Sequence, residues 1–459
     1  MIDIKSALTD ICGEENVYDD KYTLEIYSKD NTEKLSFLPQ IVVKPKDKYE
    51  ISEVLAFANE FRIPVTPRGA GTGLSGGALP VKKGIVLSVE RMNKILNIDK
   101  KNFFVETQPG VITRKLQDEV EKYGLYYPVD PASRESCFIG GNIAENSGGP
   151  RALKYGVTKD YVLGLEFVTP TGEVIDSGSK TLKNTTGYNL SQLIVGSEGT
   201  LGIVTKITLK LVTKPKFRKL MLVAFSSPEK CIEAVSEIFI RGLHPSALEF
   251  LEKAAINATE NHLGKAFPNS RAEAQLLIEV DGMTEEILYE ELEEISDVVE
   301  KFKPTGSIVA EDNNKIEEIW ALRRAVGEAV KSICEYKEED TVVPRYRMPE
   351  LLKGIKEICR GFGIRAICYG HAGDGNLHIN ILRDSLSDDE WKTKVPEAVE
   401  EIFRLTVSLG GTITGEHGIG YSQKRYLSLA LSKQEIELQK KIKKLFDPKN
   451  ILNPDKIFM

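Results

Sequence analysis

Apolar positions along the chain switch repeatedly between two periods, and the switches mark out its elements. Ile41-Val42-Val43 is a short apolar run, after which Ile51, Val54, Leu55, Ala58 and Phe61 recur at helical spacing. Pro64-Val65-Thr66-Pro67 then returns to extended chain, giving a β-α-β opening with a glycine-rich loop directly behind it. Further extended runs fall at Ile85 to Val89, Phe103 to Glu106, Leu165 to Thr169 and Ile203 to Leu211. Pro170-Thr171-Gly172-Glu173 separates two β-rich runs and reads as a hairpin turn. The first forty residues are charged and weakly periodic apart from Ile4 to Ile11. They predict a helical extension, residues 1–40, on the outside of a strand-rich α+β domain, residues 41–213.

A breaker, Thr213-Lys214-Pro215-Lys216, marks the next boundary. Beyond it come a strand at Leu220 to Phe225, a helix at Glu229 to Ile240, a strand at Ala274 to Val280 and a helix at Glu285 to Phe302. That rhythm predicts an antiparallel sheet with helices on one face, a ferredoxin-like α/β domain over residues 214–410. A helix is expected at Ile316 to Ile333, and β runs at Ala366 to Tyr369 and Leu377 to Ile381. The C-terminal segment, residues 411–459, is expected to be helical from Ser422 to Phe446 and to return to the first domain. The fold class is therefore α+β, in two domains with a helical C-terminal segment.

Bulk properties narrow the function. A chain of 459 residues exceeds what one compact core accommodates. A net charge of -7 offers no basic surface for a nucleic-acid backbone. Met1-Ile2-Asp3-Ile4-Lys5 is no secretory leader, and no apolar run approaches the roughly 18 residues of a membrane helix. A cytoplasmic protein is expected, with peripheral docking onto a membrane partner left open. The six cysteines are scattered without C-x-x-C spacing, which excludes an iron–sulfur cluster of the usual kind and favours reduced thiols.

The chemistry concentrates in glycine loops. Pro67-Arg68-Gly69-Ala70-Gly71-Thr72-Gly73-Leu74-Ser75-Gly76-Gly77-Ala78 lets successive backbone N–H groups approach a pyrophosphate, with Arg68, Thr72 and Ser75 as added donors. Gly71-x-Gly73-x-x-Gly76 formally matches the nicotinamide-dinucleotide fingerprint, but that motif needs a helix starting inside the loop. Here the chain runs through Ala78-Leu79-Pro80 to the strand at Ile85, so that reading fails. A lone loop is weak evidence; this one is joined by Ile139 to Gly149 and by Val195 to Gly202. Three such segments suggest a long ligand threaded through backbone.

PRGAGTGLSGGA, IGGNIAENSGGPRALKYG and GYNLSQLIVGSEGTLGIVT resemble the FAD-binding domain of the vanillyl-alcohol oxidase/p-cresol methylhydroxylase superfamily. GHAGDGNLHIN and GEHGIG resemble its D-lactate dehydrogenase, glycolate oxidase flavin subunit and D-2-hydroxyglutarate dehydrogenase branch. The likeness runs from Ile41 to Pro454. It implies an extended FAD with its pyrophosphate on Arg68, Gly69, Ala70, Gly71, Thr72, Gly73, Ser75 and Gly76. Pro131, Ser133, Gly140, Gly141, Asn146 and Gly148 match the second FAD-binding segment, and Gly199 and Ile203 the third. No His or Cys lies in the first loop, so the flavin is expected to be non-covalent, with Cys137 the residue to check.

Three of the five histidines fall between His371 and His417. A hairpin through Ala372-Gly373-Asp374-Gly375-Asn376 would bring His371 and His378 to one end of two neighbouring strands. Two histidines and a carboxylate with open positions are a usual divalent-metal set. The bland alternative is hydrogen-bonded polar residues of a flavin pocket. The resemblance implies His371, His378 and Glu416 as ligands of Zn, Fe or Mn, and His417 as the base. Adjacent Glu416 and His417 can share a site only if their glycines make a turn. For a substrate carboxylate, the resemblance selects Arg323, after W-x-L; Arg345 is a second candidate, and Asn380 a further substrate residue. Where the D-2-hydroxyglutarate branch carries a Lys for the distal carboxylate, this chain offers Glu338 or nearby acids, which favours lactate or glycolate.

The expected activity is FAD-dependent oxidation of a small D-2-hydroxy acid, D-lactate foremost, with glycolate and D-2-hydroxyglutarate as alternatives. Electrons would leave to a partner: an electron-transfer flavoprotein, an iron–sulfur protein or quinone. The redox-neutral alkyl-glycerone-phosphate synthase branch shares the fold but typically carries adjacent histidines, absent here. A homo-oligomer is left open.

Overall fold

The computed structural model describes residues 3–459; Met1 and Ile2 of the expected extension lie outside them. The chain forms two units. The first comprises 1–148, 156–214 and 416–459, and the second 149–155 and 215–415.

Two sheets build the first unit. One runs in the order Val17–Tyr18, Ile41–Val43, Ile85–Ser88, Val65–Arg68, parallel except for its first pair. Its central strands are buried throughout, as parallel strands covered on both faces must be. The helix Lys48–Phe61 packs Ile51, Val54, Leu55 and Ala58 against it, capped by Asp47, whose carboxylate accepts from the N–H groups of Tyr49 and Glu50. The N-terminal helix Ile4–Cys12 does not merely lie outside: Leu8 and Cys12 enter the same core. The other sheet is antiparallel, in the order Ile95–Asp99, Phe104–Thr107, Ile203–Lys210, Val162–Val168, Val174–Gly178.

Seven antiparallel strands build the second unit: Gly306–Ala310, Phe217–Phe225, Ala274–Gly282, Ala247–Glu252, Arg365–His371, Asn376–Leu382 and Tyr336–Val342. The expected helices on one face become helices on both. Lys253–Leu263 and Asn313–Lys331 cover Leu251, Ile367, Tyr369 and Leu382, while Pro228–Ile240, Glu285–Glu300 and Met348–Phe362 pack elsewhere on the strands. This explains Ala274–Gly282, whose residues are buried up to Asp281 with no alternation for a sequence reading to find.

The single helix expected at Ser422 to Phe446 is two, Leu427–Ala430 and Lys433–Phe446. Ser432 restarts it, its side chain accepting from the N–H of Glu435. Among the described residues no helix is long and apolar enough to cross a membrane.

Candidate active site

In the first unit the three glycine segments meet. The first loop leaves the strand Val65–Arg68 and reaches Ile85–Ser88 without any helix between them, so this loop does not open the helix that a nicotinamide-type phosphate site needs. Gly71 and Gly76 lie at φ 73° and 79°, where a side chain is strained, and a Cβ at Gly71 would fall 2.2 Å from the Arg68 guanidinium. Gly73 has nothing within 4 Å of its Cβ position, leaving one side of the loop open. Arg68 is buried, its guanidinium over the Tyr27 ring, and its Nη1 has no hydrogen-bond partner.

The second segment is not a loop at its start. Ile139–Glu145 forms a short helix ended by Asn146 at φ 54°. Gly140 is required by packing, because a Cβ there would meet Pro109 at 2.6 Å. Gly141 is open on its Cβ side and sits beside Gly69, whose Cβ position is 3.7 Å from the Gly141 nitrogen. Pro131 and Ser133 lie in the preceding turn, where the Ser133 carbonyl accepts from Cys137 N–H at 2.8 Å. Cys137 itself is buried against Thr113, and burial pushes its thiol pKa up, which suppresses the thiolate a covalent tether would need. The third segment docks on that helix: Gly196 and Glu198 N–H groups donate to the Ile143 and Ala144 carbonyls at 2.9 and 2.8 Å. A Cβ on Gly199 would lie 2.7 Å from Pro67, and Ile203 begins a strand in the unit's core. An open backbone cradle with a buried, unpartnered guanidinium atom at its root fits an anionic dinucleotide.

The stretch carrying Glu416 and His417 also belongs to this unit, and it is a bent turn rather than a strand. Gly418 and Gly420 bound it at φ 81° and 50°. That turn is what two neighbouring side chains need to serve one place.

In the second unit, polar side chains line one face of the sheet. The hairpin pairs Tyr369 with His378, and Asp374 N–H donates to the His371 carbonyl at 3.0 Å to close the turn. His371 and His378 stand edge to face with ring centroids 5.3 Å apart. His371 Nδ1 is held by both oxygens of Glu249, at 2.8 and 3.0 Å, which fixes the ring and leaves Nε2 as the nitrogen that could take a metal. Glu249 is fully buried in the strand Ala247–Glu252 and also pairs with Arg323. Burial opposes its ionisation, but the His371 and Arg323 charges and their hydrogen bonds hold its pKa below the usual carboxylate value.

Arg323 reaches this face because the helix Asn313–Lys331 buries Ile316, Ile319, Trp320, Arg323, Val326 and Val330 on one side. Its guanidinium lies 5.4 Å from the Tyr369 ring centroid, and its Nε has no partner. Asn380 is fully buried, donating to Tyr369 Oη at 3.3 Å, with its Oδ1 unpartnered. Directly across the ladder from Asn380 is Glu338, paired with Lys331 at 2.6 Å. Asp340 lies across from His378 and accepts from Asn376 at 2.6 Å. Arg345 is placed differently, its guanidinium 3.8 Å from the centroid of Phe239 on the helix Pro228–Ile240.

Sequence reasoning missed Glu249. The only signal was an acid at the centre of the apolar run Ala247-Leu248-Glu249-Phe250-Leu251, where a strand interior otherwise excludes charge.

Comparison with known proteins supplies the relatives. Residues 214–457 match the family of FAD linked oxidases, C-terminal domain, and residues 39–178 match an FAD binding domain. The chain is 42% identical to a glycolate oxidase subunit of Bacillus subtilis, over 99% of this chain and 97% of that protein. It is 39% identical to a D-lactate dehydrogenase of Anaerostipes hadrus, over 91% of this chain and 89% of that one. Its fold is that of p-cresol methylhydroxylase (TM-score 0.78, 17% identity, 99% of this chain and 96% of that chain).

Proposed function

The chain belongs to the FAD-linked oxidases, and from that premise we propose that it oxidises a small D-2-hydroxy acid, D-lactate first, to the 2-oxo acid. The observation that carries this reading is the buried group of Arg323, His371 and His378 around Tyr369. A buried guanidinium beside two imidazoles on one sheet face supports a carboxylate-bearing substrate.

FAD, when bound, supplies a hydride acceptor at its N5. The glycine segments would hold it without a covalent bond. A divalent metal, when bound, lowers the pKa of the substrate hydroxyl. His371 and His378 would be its imidazole ligands, and Glu416 is carried over from the sequence reading as its carboxylate. Glu249 orients His371 and holds Arg323 in place, while Arg323 pairs with the substrate carboxylate. His417 takes the hydroxyl proton on an imidazole nitrogen. The sequence reading against a second acid group on the substrate rests on Glu338, whose charge Lys331 offsets, and Asn380 across the ladder offers a hydrogen bond. The electrons of the reaction would leave to a partner protein, for which an electron-transfer flavoprotein is the first candidate, since no C-x-x-C spacing exists in the chain. Glycolate is the second reading, supported by the similarity to the glycolate oxidase subunit.

The test is the absorbance of the purified holoprotein during anaerobic addition of D-lactate, L-lactate, glycolate and D-2-hydroxyglutarate in turn. D-lactate is expected to bleach the flavin band near about 450 nm, and chelation to abolish the bleaching. Bleaching by glycolate alone would select the second reading. A band that no acid bleaches would overturn the proposal.

A further inference from the structure

The third glycine segment contains an acid to which the proposed reaction gives no task. Glu198 is buried and sits at φ 51°. A non-glycine residue keeps that conformation only where its surroundings enforce it. Here its N–H donates to the Ala144 carbonyl at 2.8 Å, and its own carbonyl accepts from Asn453 Nδ2 at 2.8 Å. With its backbone held on both sides, the side chain is aimed at one place. Oε1 accepts from the N–H of Ile419 at 2.9 Å and Oε2 from the N–H of Gly420 at 2.6 Å.

Those two amides close the turn that carries Glu416 and His417. Between them and His417 lies Gly418, where a Cβ would stand 3.1 Å from Glu198 Oε1 and 2.5 Å from Glu145 Oε2. The turn therefore threads between two acids. Gly420 meets the Ser75 carbonyl, 2.2 Å from its Cβ position, and that carbonyl accepts from Tyr421 N–H at 2.8 Å. Lys456 and Asp30 are the other charged groups facing this pair of acids. Lys456 donates to the Leu79 carbonyl at 2.7 Å and to Asn453 Oδ1 at 3.1 Å. Burial raises the pKa of both acids, and the Glu198 charge raises that of Glu145 further. Glu198, with two N–H donors, is the one that ionises first.

We propose that Glu198 is the positioning residue of the 416–420 turn: by gripping the Ile419 and Gly420 amides, its carboxylate fixes where Glu416 and His417 point. The consequence for catalysis rests on the reading of His417 as the base; the grip itself does not. An ionised carboxylate suits the task because it accepts on both oxygens, whereas an amide offers one acceptor and turns a donor against the second N–H.

The test compares holoprotein with Glu198→Gln and Glu198→Ala, measuring amide hydrogen exchange at Ile419 and Gly420 and the anaerobic rate of flavin bleaching by D-lactate. Exchange is expected to rise at both amides in Glu198→Ala and at one of them in Glu198→Gln, while flavin stays bound. The bleaching rate should fall about 10-fold in Glu198→Gln and about 100-fold in Glu198→Ala, the range for losing one or two hydrogen bonds to a charged group. KM should move less than about 3-fold, because truncating a positioning group acts on the chemical step. Unchanged exchange at both amides would overturn the proposal, as would raised exchange with an unchanged bleaching rate. Flavin loss from the isosteric Glu198→Gln would also overturn it, by making the residue a cofactor-site support. Should no hydroxy acid bleach even the unaltered protein, the proposed substrate fails, while the exchange data still decide whether Glu198 grips the turn.

Discussion

In the first unit the glycine segments present mostly main-chain N–H and C=O groups, whereas in the second the comparable groups are side chains rooted in strand interiors. The difference follows from the chemistry each surface suits. A backbone cradle approaches a long anion closely and costs no side-chain order, but it needs glycines at left-handed positions such as Gly71 and Gly76. A sheet face fixes a few side chains at set spacing, because ladder partners such as Tyr369 and His378 project the same way. It must then neutralise the charge it buries, as Arg323 and His371 do for Glu249. The cradle is exacting about which residues its backbone admits, and the sheet face is stressed in its electrostatics.

Breaking the electrostatics should have the largest effect. Arg323→Met leaves Glu249 buried without its guanidinium and should destabilise the second unit by about 3–5 kcal/mol. Both tryptophans, Trp320 and Trp391, lie in that unit, so their fluorescence during urea unfolding reads it alone. A loss below about 1 kcal/mol would show that the charges are not confined as described.

Breaking the turn that rests on the backbone cradle should cost somewhat less. Gly420→Ala puts a Cβ against the Ser75 carbonyl at φ 50° and should destabilise the first unit by about 2–4 kcal/mol. Flavin release on heating reports it, and an unshifted release temperature would contradict the packing.

The smallest effect sharpens the comparison through its sign. Glu249 has a lowered pKa, so its contribution is present above the ordinary value of 4.5 and is lost as pH falls through its folded value. Glu145 has a raised pKa, so its contribution is present below 4.5 and is lost as pH rises through its folded value. Acid should therefore weaken the second unit and spare this element of the first. Glu249→Gln should flatten the acid limb of tryptophan-detected stability, and Glu145→Gln should flatten the rise-with-pH loss seen by flavin release. Identical pH profiles in both variants and the parent would remove the distinction.

The same contrast explains what was legible in the sequence. Glycine is rare enough in clusters that Gly69 to Gly77 announced a cradle, and the absence of a following helix told which kind it was not. The hairpin through Gly373 and Gly375 announced His371 and His378 for the same reason. Buried strands were harder. Ala247–Glu252 and Tyr336–Val342 carry acids inside the sheet, and an acid in sequence reads as surface until its partner is known. Arg151 is the extreme case: it follows the second glycine segment, yet its guanidinium makes a two-pronged pair with fully buried Glu279 of the second unit's sheet, which Trp320 Nε1 also meets at 2.7 Å. Nothing local in Pro150-Arg151-Ala152 points to a partner 128 positions away. The break at Ser432, by contrast, was written in Ser432-Lys433-Gln434-Glu435 as a helix start.

The ties at the far end of the chain bear on how the protein is made. Val65 donates to the Ile451 carbonyl at 2.8 Å and accepts from Asn453 at 2.7 Å, beside a glycine loop that Lys456 also holds. During synthesis the first loop leaves the ribosome long before these residues exist, while residues 215–415 of the second unit are complete well ahead of them. The flavin cradle can thus set only after residues 215–415 of the second unit have been made. A nascent chain can carry a folded second unit while its cofactor pocket still waits for the strand bridge at Leu452.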